Sequence, residues 1–197
     1  MTKRLSSVLP VLVLLACGLI PLTAAAGPIT YTEVFTASGT VNGTPFDGTV
    51  TFTYTSDTTL VYECGSPIFC TPQGTASFSI QGIGAGAFKD PFYVFDDQGN
   101  GVAGFADGNV DDIVDLSNPA FATYDLKSAI GPLSSTYFYV HMGGLGSTLG
   151  TVIIESVSGT PTFAATTSGT TPEPGSLVLF GSGVVGLAAV IRRKLKI

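Results

Sequence analysis

The sequence predicts an all-β body, an antiparallel β-sandwich or jelly roll, flanked by an N-terminal signal peptide and a C-terminal transmembrane helix. Residues 49–55 alternate strictly, with Val50, Phe52 and Tyr54 on one face and threonines on the other, as in a half-buried strand. Gly, Pro, Asn and Asp recur at short intervals, and no stretch of the body sustains a 3.6-residue period. The two ends differ, because each combines an apolar run with basic residues.

Further strands follow from the same pattern. Asn42-Gly43 is a typical hairpin turn and should join two of them. Other predicted strands are residues 29–35, 76–80, 92–95, 102–105, 121–126, 136–142 and 151–157, whereas the glycine-rich residues 82–86 are interpreted as a loop. If Phe138 and Val140 face inward, His141 faces outward.

The charges are unevenly placed. Six of the eight basic residues lie at the chain ends, whereas residues 27–171 contain two lysines and thirteen acidic residues, a net charge of −11. Such a body repels a phosphate backbone, so the sequence predicts no nucleic-acid partner.

Residues 1–26 predict an export signal. A basic start at residues 3–4 precedes an apolar run at 8–22, and Ala24 and Ala26 occupy the small-x-small positions that signal peptidase recognises. Cleavage there would make Gly27 the first residue of the mature chain.

The three cysteines fit an oxidising compartment. Residues 14–17 resemble a lipoprotein cleavage box, so acylation of Cys17 stays an alternative to simple removal of the signal. Cys64 and Cys70 bracket a Gly/Pro-containing loop, and we expect a disulfide across it after export. A zinc site is a poor alternative, because it needs four ligands and the chain has one histidine.

The C-terminal part predicts a tail in three pieces after a β-rich extracytoplasmic domain at residues 27–163. Residues 164–171 are rich in Thr, Gly and Ala and indicate a flexible linker. The Pro-Glu-Pro at 172–174 stays extended and exposed, because each proline fixes φ and lacks an N–H. Residues 177–191 form an apolar span of about 22 Å as a helix, and the basic cluster after it should stay cytoplasmic, which places the body outside.

The order of these pieces resembles the PEP-CTERM sorting signal over residues 172–197. The residues that carry the resemblance are Pro172, Glu173, Pro174, Arg192, Arg193 and Lys194. It implies recognition by an exosortase, a membrane-embedded cysteine transpeptidase of Gram-negative bacteria that also make exopolysaccharide. An inner-membrane intermediate would be cleaved near residues 172–174, and the body would reach the cell surface or the extracellular matrix. A tail retained as a plain membrane anchor is the alternative.

One acidic stretch offers a candidate cation site. Asp107, Asn109, Asp111 and Asp112 present oxygen ligands around a glycine, which suits calcium. The bidentate glutamate and the flanking helices of the common calcium loop are missing, and these residue types are also usual in β-turns. Turn formation is therefore the preferred interpretation, calcium the alternative, and no other cofactor is predicted.

The sequence contains no recognisable catalytic constellation. His141 lies in a predicted strand, and neither a nucleophile elbow nor a phosphate-binding loop is present. Paired carboxylates could serve a glycosidase, but their separation depends on the fold. Five tyrosines offer flat faces for stacking on sugar rings, although packing in the core explains most of them equally well: Tyr62, Tyr93, Tyr124, Tyr137 and Tyr139.

These observations together predict an exported cell-envelope or extracellular-matrix protein that is sorted through its tail. We expect it to be non-enzymatic and associated with exopolysaccharide. A calcium- or carbohydrate-binding adhesin is the first alternative, and a glycan-acting enzyme is the second.

Overall fold

A computed structural model describes residues 27–108 and 111–168. Two antiparallel sheets contain most of them. The strands are β1 (Pro28–Val41), β2 (Thr44–Asp57), β3 (Tyr62–Gly65), β4 (Ile68–Thr71), β5 (Thr75–Ile80), β6 (Gly84–Ala87), β7 (Phe92–Asp97), β8 (Val102–Asp107), β9 (Asp111–Ser117), β10 (Ile130–Ser134), β11 (Thr136–Val140), β12 (Gly144–Ser147) and β13 (Gly150–Thr167). Short 3-10 helices occur at Thr58–Leu60 and Pro119–Thr123.

The two sheets differ in how the chain winds through them. The seven-stranded sheet has the order β10-β13-β1-β2-β5-β6, with β12 also paired to β13. The six-stranded sheet has the order β11-β9-β8-β7-β4-β3, which keeps chain order but omits β5, β6 and β10, because the chain crosses there to the other sheet. The predicted all-β fold is therefore confirmed, as a sandwich of two antiparallel sheets.

The β1–β2 hairpin is the longest regular ladder of the fold. Asn42 and Gly43 turn it with φ angles of 49° and 80°, values that a two-residue hairpin of this kind requires. Val50, Phe52 and Tyr54 are buried on one face, as the alternation predicts. The predicted turn and strand are confirmed.

Aromatic rings hold the two sheets together. Phe52 on β2 is fully buried and meets the rings of Phe35 and Phe88 edge-on, with centroids 5.1 Å away in both cases. Its ring centroid also lies 6.0 Å from that of Phe105 on β8, across the interface between the sheets. Burial of such rings and their edge-to-face contacts both stabilise the fold.

The seven-stranded sheet curls so that its β6 edge meets the β12–β13 hairpin. Past the end of β6, the Lys89 amide donates to the Gly146 carbonyl at 3.0 Å. The Thr148 amide donates to the Ala87 carbonyl at 2.9 Å. The β12–β13 hairpin therefore covers part of the edge of β6, which would otherwise present unpaired backbone groups.

One predicted strand is wrong. Residues 121–126 do not pair with another strand but follow from the 3-10 helix Pro119–Thr123. Asn118 caps this helix by accepting a hydrogen bond from the Ala120 amide at 2.9 Å, and the proline starts it. Leu126 then adopts a positive φ of 61°, which no strand residue uses.

The predicted loop at residues 82–86 is also wrong in part. Gly84–Ala87 forms strand β6, which pairs with β5. Glycine is needed at position 86, because a Cβ there would lie 2.7 Å from the Phe78 ring. The small side chains that suggest a loop instead let a buried ring pack under the strand.

The predicted linker at residues 164–171 begins too early. β13 continues to Thr167, with Phe163 and Ala165 buried and Thr166 and Thr167 exposed. Threonine suits a half-buried strand, so a Thr/Ala-rich composition does not distinguish strand from linker here. The folded body extends past residue 163, and residues 169–171 lie outside the described part of the chain.

A bulge reverses the expected facing of β11. Tyr137 pairs with Leu116 and Tyr139 with Asp115, so Phe138 is the extra residue. Tyr137 packs against the core, whereas Phe138 is 62% exposed. The condition that Phe138 faces inward, on which an outward His141 depended, is not met, because a bulge shifts the alternation by one residue.

Both predicted membrane-related segments, residues 1–26 and 177–191, lie outside the described residues. Within residues 27–108 and 111–168, no helix has the length and apolarity to cross a bilayer.

Candidate functional site

The Cys64–Cys70 disulfide is confirmed. It joins β3 to the end of β4, with Cα atoms 5.8 Å apart. The two strands form the outermost hairpin of the six-stranded sheet. The cross-link ties β3, whose residues are all exposed, to β4, which also pairs with β7.

Removing this disulfide with the double substitution Cys64→Ser and Cys70→Ser should lower the free energy of unfolding by about 2 kcal/mol, as expected for closing a short loop. Denaturant unfolding with and without reducing agent measures it. Reduction should destabilise the native protein and leave the double variant unchanged. Equal stability of the oxidised and reduced native protein would contradict this prediction.

The predicted calcium ligands lie at the β8–β9 turn. Asp107 is 2% exposed and pairs through its backbone with Asp111. Asn109 lies outside the described residues. Across the part of the chain that the structure describes, no three His, Cys, Asp or Glu side chains converge as metal ligands. Calcium binding therefore stays the alternative to turn formation, and calorimetry with calcium would test it.

Two acidic residues are brought together on β9. The Asp112 and Asp115 carboxyls hydrogen-bond to each other, because a bulge at Ile113 places both on the same face. Burial, followed by the charge and hydrogen bond of Asp112, raises the pKa of Asp115 from 3.8 to about 8. Carboxyls in mutual contact are closer than the 5 Å or more that roughly separates the two acids of a glycosidase. The Asp112 and Asp115 carboxyls therefore do not have the separation that glycoside hydrolysis requires.

Two further carboxyls lie in the interior. Both oxygens of Glu33 and both of Asp96 have no hydrogen-bond partner. Burial raises the pKa of Glu33 well above its usual value, and the charge of Asp115 adds to the effect. For Asp96, burial and then the charges of Asp97 and Asp125 raise the pKa to about 8. Both groups are therefore expected to hold a proton at neutral pH, because an unpaired buried charge is costly.

Two of the five candidate tyrosines stabilise loops and strand ends. Tyr124 is buried, and its hydroxyl donates to the Ser128 carbonyl at 2.9 Å. The Tyr137 hydroxyl donates to the Ser158 carbonyl at 3.0 Å. These rings are held by contacts within the fold, so neither is placed as an open platform for a sugar.

Exposed aromatic rings lie at both edges of the six-stranded sheet. Tyr62 on β3 is 51% exposed. Tyr139 on β11 is 45% exposed, beside the exposed Phe138. Tyr93 on β7 is half-buried. Phe138 was not among the predicted sugar contacts, because only the bulge in β11 brings it to the surface.

A cleft of about 570 Å³ opens between residues 72–76 and 87–92. Phe88 and Phe92 line it, with their rings stacked at 4.2 Å and tilted by 18°. Lys89 and Asp90 line it too, so apolar surface meets groups that can donate and accept hydrogen bonds. The sequence does not predict this cleft, because its two walls come from segments that meet only in the folded chain.

His141 has no catalytic partner set around it in the described residues. Its backbone amide donates to the Ile113 carbonyl at 2.7 Å, and its ring lies against Gly143. It is half-buried, following the end of β11.

Comparison with known protein families finds a match in the C-terminal part of the chain. Residues 170–194 match the family model of the PEP-CTERM protein-sorting motif. The match includes all six predicted sorting residues, from Pro172 to Lys194. The chain thus carries a motif that indicates an exported protein sorted to the cell surface by an exosortase. No curated protein and no solved structure matches the chain significantly.

Proposed function

We propose that this chain, which carries a PEP-CTERM sorting motif, is a non-enzymatic protein of the cell surface or extracellular matrix that associates with exopolysaccharide. The observation that carries the proposal is the sorting motif at residues 170–194, directly after a small sandwich that ends at β13. The motif gives the destination, and the sandwich is the part delivered there.

The buried acids support a non-enzymatic role. Asp112 and Asp115 bond to each other, and Asp96 and Glu33 are enclosed in the interior. A catalytic acid must reach substrate, directly or through one water. Acids held in this way are placed to affect folding rather than a bound substrate.

Association with exopolysaccharide is tested by comparing two strains, one that makes the polymer and one in which its synthesis is disrupted. The protein should fractionate with the matrix of the first strain and appear in the medium of the second. Deletion of residues 172–197 is the control for sorting, because it removes the tail and leaves the body intact. The same distribution in both polymer-making and polymer-free cells would contradict the association.

Carbohydrate binding is the second candidate function, favoured by the cleft at Phe88. Sugar rings stack their C–H faces on aromatic rings, and their hydroxyls bond to charged and amide groups at a rim. The cleft combines the Phe88 ring with Lys89, Asp90 and Gln73. Its volume of about 570 Å³ suits one or two sugar residues.

Calorimetry of the mature protein with the purified host polysaccharide tests this second candidate. Replacing Asp90 by Asn should weaken binding roughly tenfold or more, because a hydrogen bond to a charged group contributes about 1.5–3 kcal/mol. Lys89→Ala is a second cleft variant. Its matched control is Lys127→Ala, because Lys127 is the body's other lysine and does not line the cleft. Equal affinity of the native protein and the cleft variants would rule out this site.

A further inference from the structure

Both ends of the folded body lie side by side. Ile29 on β1 pairs with Thr167 on β13, and the Ser168 amide donates to the Pro28 carbonyl at 3.0 Å. Gly27 is held at the same place, since the Thr58 amide donates to its carbonyl at 3.2 Å. The predicted signal-peptidase site and the sorting tail therefore leave the sandwich at one end.

The Pro-Glu-Pro motif follows the folded body after a very short stretch of chain. Only residues 169–171 separate Ser168 from Pro172. Four Cα steps span at most about 14 Å, even when fully extended. The predicted apolar span begins nine residues after Ser168, so the body can stand at most about 32 Å from it.

We propose that the sorting enzyme meets this end of the sandwich, which we call the terminal end and define as Gly27–Ile29, Thr58–Thr59 and Thr166–Ser168. A reach of about 14 Å is shorter than the roughly 30 Å diameter of a small domain. A membrane enzyme that binds the Pro-Glu-Pro in extended form therefore contacts the folded body next to it. The terminal end faces the membrane while the tail is intact.

The opposite end of the sandwich is far from this contact. β1 runs for fourteen residues from Pro28 to Val41, a length of about 44 Å, and ends at the Asn42-Gly43 turn. A rigid strand of that length keeps the turn away from the membrane whenever the terminal end faces it. Contacts made at the terminal end can therefore be compared with contacts made at the Asn42-Gly43 turn of the same molecule.

Photo-crosslinking of the full-length precursor in native membranes tests the contact. A photoreactive amino acid replaces Thr59 at the terminal end or Thr44 beside the opposite turn, since both threonines are exposed. The Thr59 position should crosslink to the sorting enzyme at least fivefold more than the Thr44 position, and a Thr59 crosslink to lipid alone would contradict the enzyme contact. Inserting twelve Gly/Ser residues after Ser168 should reduce the Thr59 crosslink severalfold, because that linker adds roughly 19 Å of average reach.

The outcomes separate this inference from the sorting function. If the precursor is processed and both positions crosslink equally, the terminal-end contact is overturned while sorting stands. A Thr59 crosslink that the inserted linker does not reduce also overturns it, because the short tether is then not its cause. If no precursor is processed in native membranes, sorting through this motif fails and the inference fails with it.

Discussion

The folded body should become less stable as the pH rises from 4 to 8. Burial raises the pKa of both Asp96 and Asp115 from 3.8 to about 8, and that of Glu33 well above its usual value. The unfolded chain ionises these groups near pH 4, whereas the folded protein keeps them protonated. The folded state therefore binds more protons in this range, and the free energy of unfolding falls with rising pH.

The expected effect is large for a domain of this size. Each such carboxyl contributes a slope of about 1.4 kcal/mol per pH unit, so Asp96 and Asp115 together lower the free energy of unfolding by up to about 5 kcal/mol between pH 5 and pH 7. Below pH 4 both states are protonated, and above pH 8 both are ionised, so the dependence on these two groups levels off at both ends. Urea unfolding across this pH range measures the slope.

Single substitutions test which carboxyls cause the pH dependence of the free energy of unfolding. Asp96→Asn and Asp115→Asn should each flatten the profile, because asparagine does not titrate. Asp47→Asn is the control, since it makes the same substitution at an exposed position on β2. Stability that is constant or rises from pH 4 to pH 8 would contradict the assignment.

Truncating Phe52 to alanine should destabilise the protein by about 3–5 kcal/mol, as for other fully buried phenylalanines. Its ring contacts Phe35 and Phe88 in its own half of the sandwich and Phe105 in the other sheet. The cavity left behind would therefore lie between the two sheets and remove these ring contacts. Denaturant unfolding gives the change directly.

Phe138→Ala is the matched control for Phe52→Ala. It removes the same side chain from a position that is 62% exposed, so the change should stay within about 0.5 kcal/mol. Similar losses for both variants, or a loss below about 1 kcal/mol for Phe52→Ala, would contradict the description of the core.

Regular local patterns made much of the fold predictable. Val50, Phe52 and Tyr54 alternate with threonines, and Asn42-Gly43 needs positive φ at both positions, so the β1–β2 hairpin follows from neighbouring residues alone. The sorting motif is equally local, because its residues lie within one stretch of 25. Both predictions are confirmed.

Features that depend on distant or irregular contacts were not predictable. The cleft at Phe88 needs residues 72–76 and 87–92 to meet, and the facing of Phe138 depends on a one-residue bulge. The proximity of Asp112 and Asp115 depends on a second bulge, in β9, which places residues three apart on one face. Strand alternation read from sequence assumes an unbroken ladder, and each bulge breaks that assumption.

The central claim is that the chain is sorted through its C-terminal motif. Intact-mass and C-terminal peptide analysis of the protein recovered from the native envelope and medium tests it most directly. We predict a mature form that starts at Gly27 and ends near residues 172–174. Recovery only of a form that retains residues 177–197 would contradict sorting by cleavage and would mean that the tail is a membrane anchor.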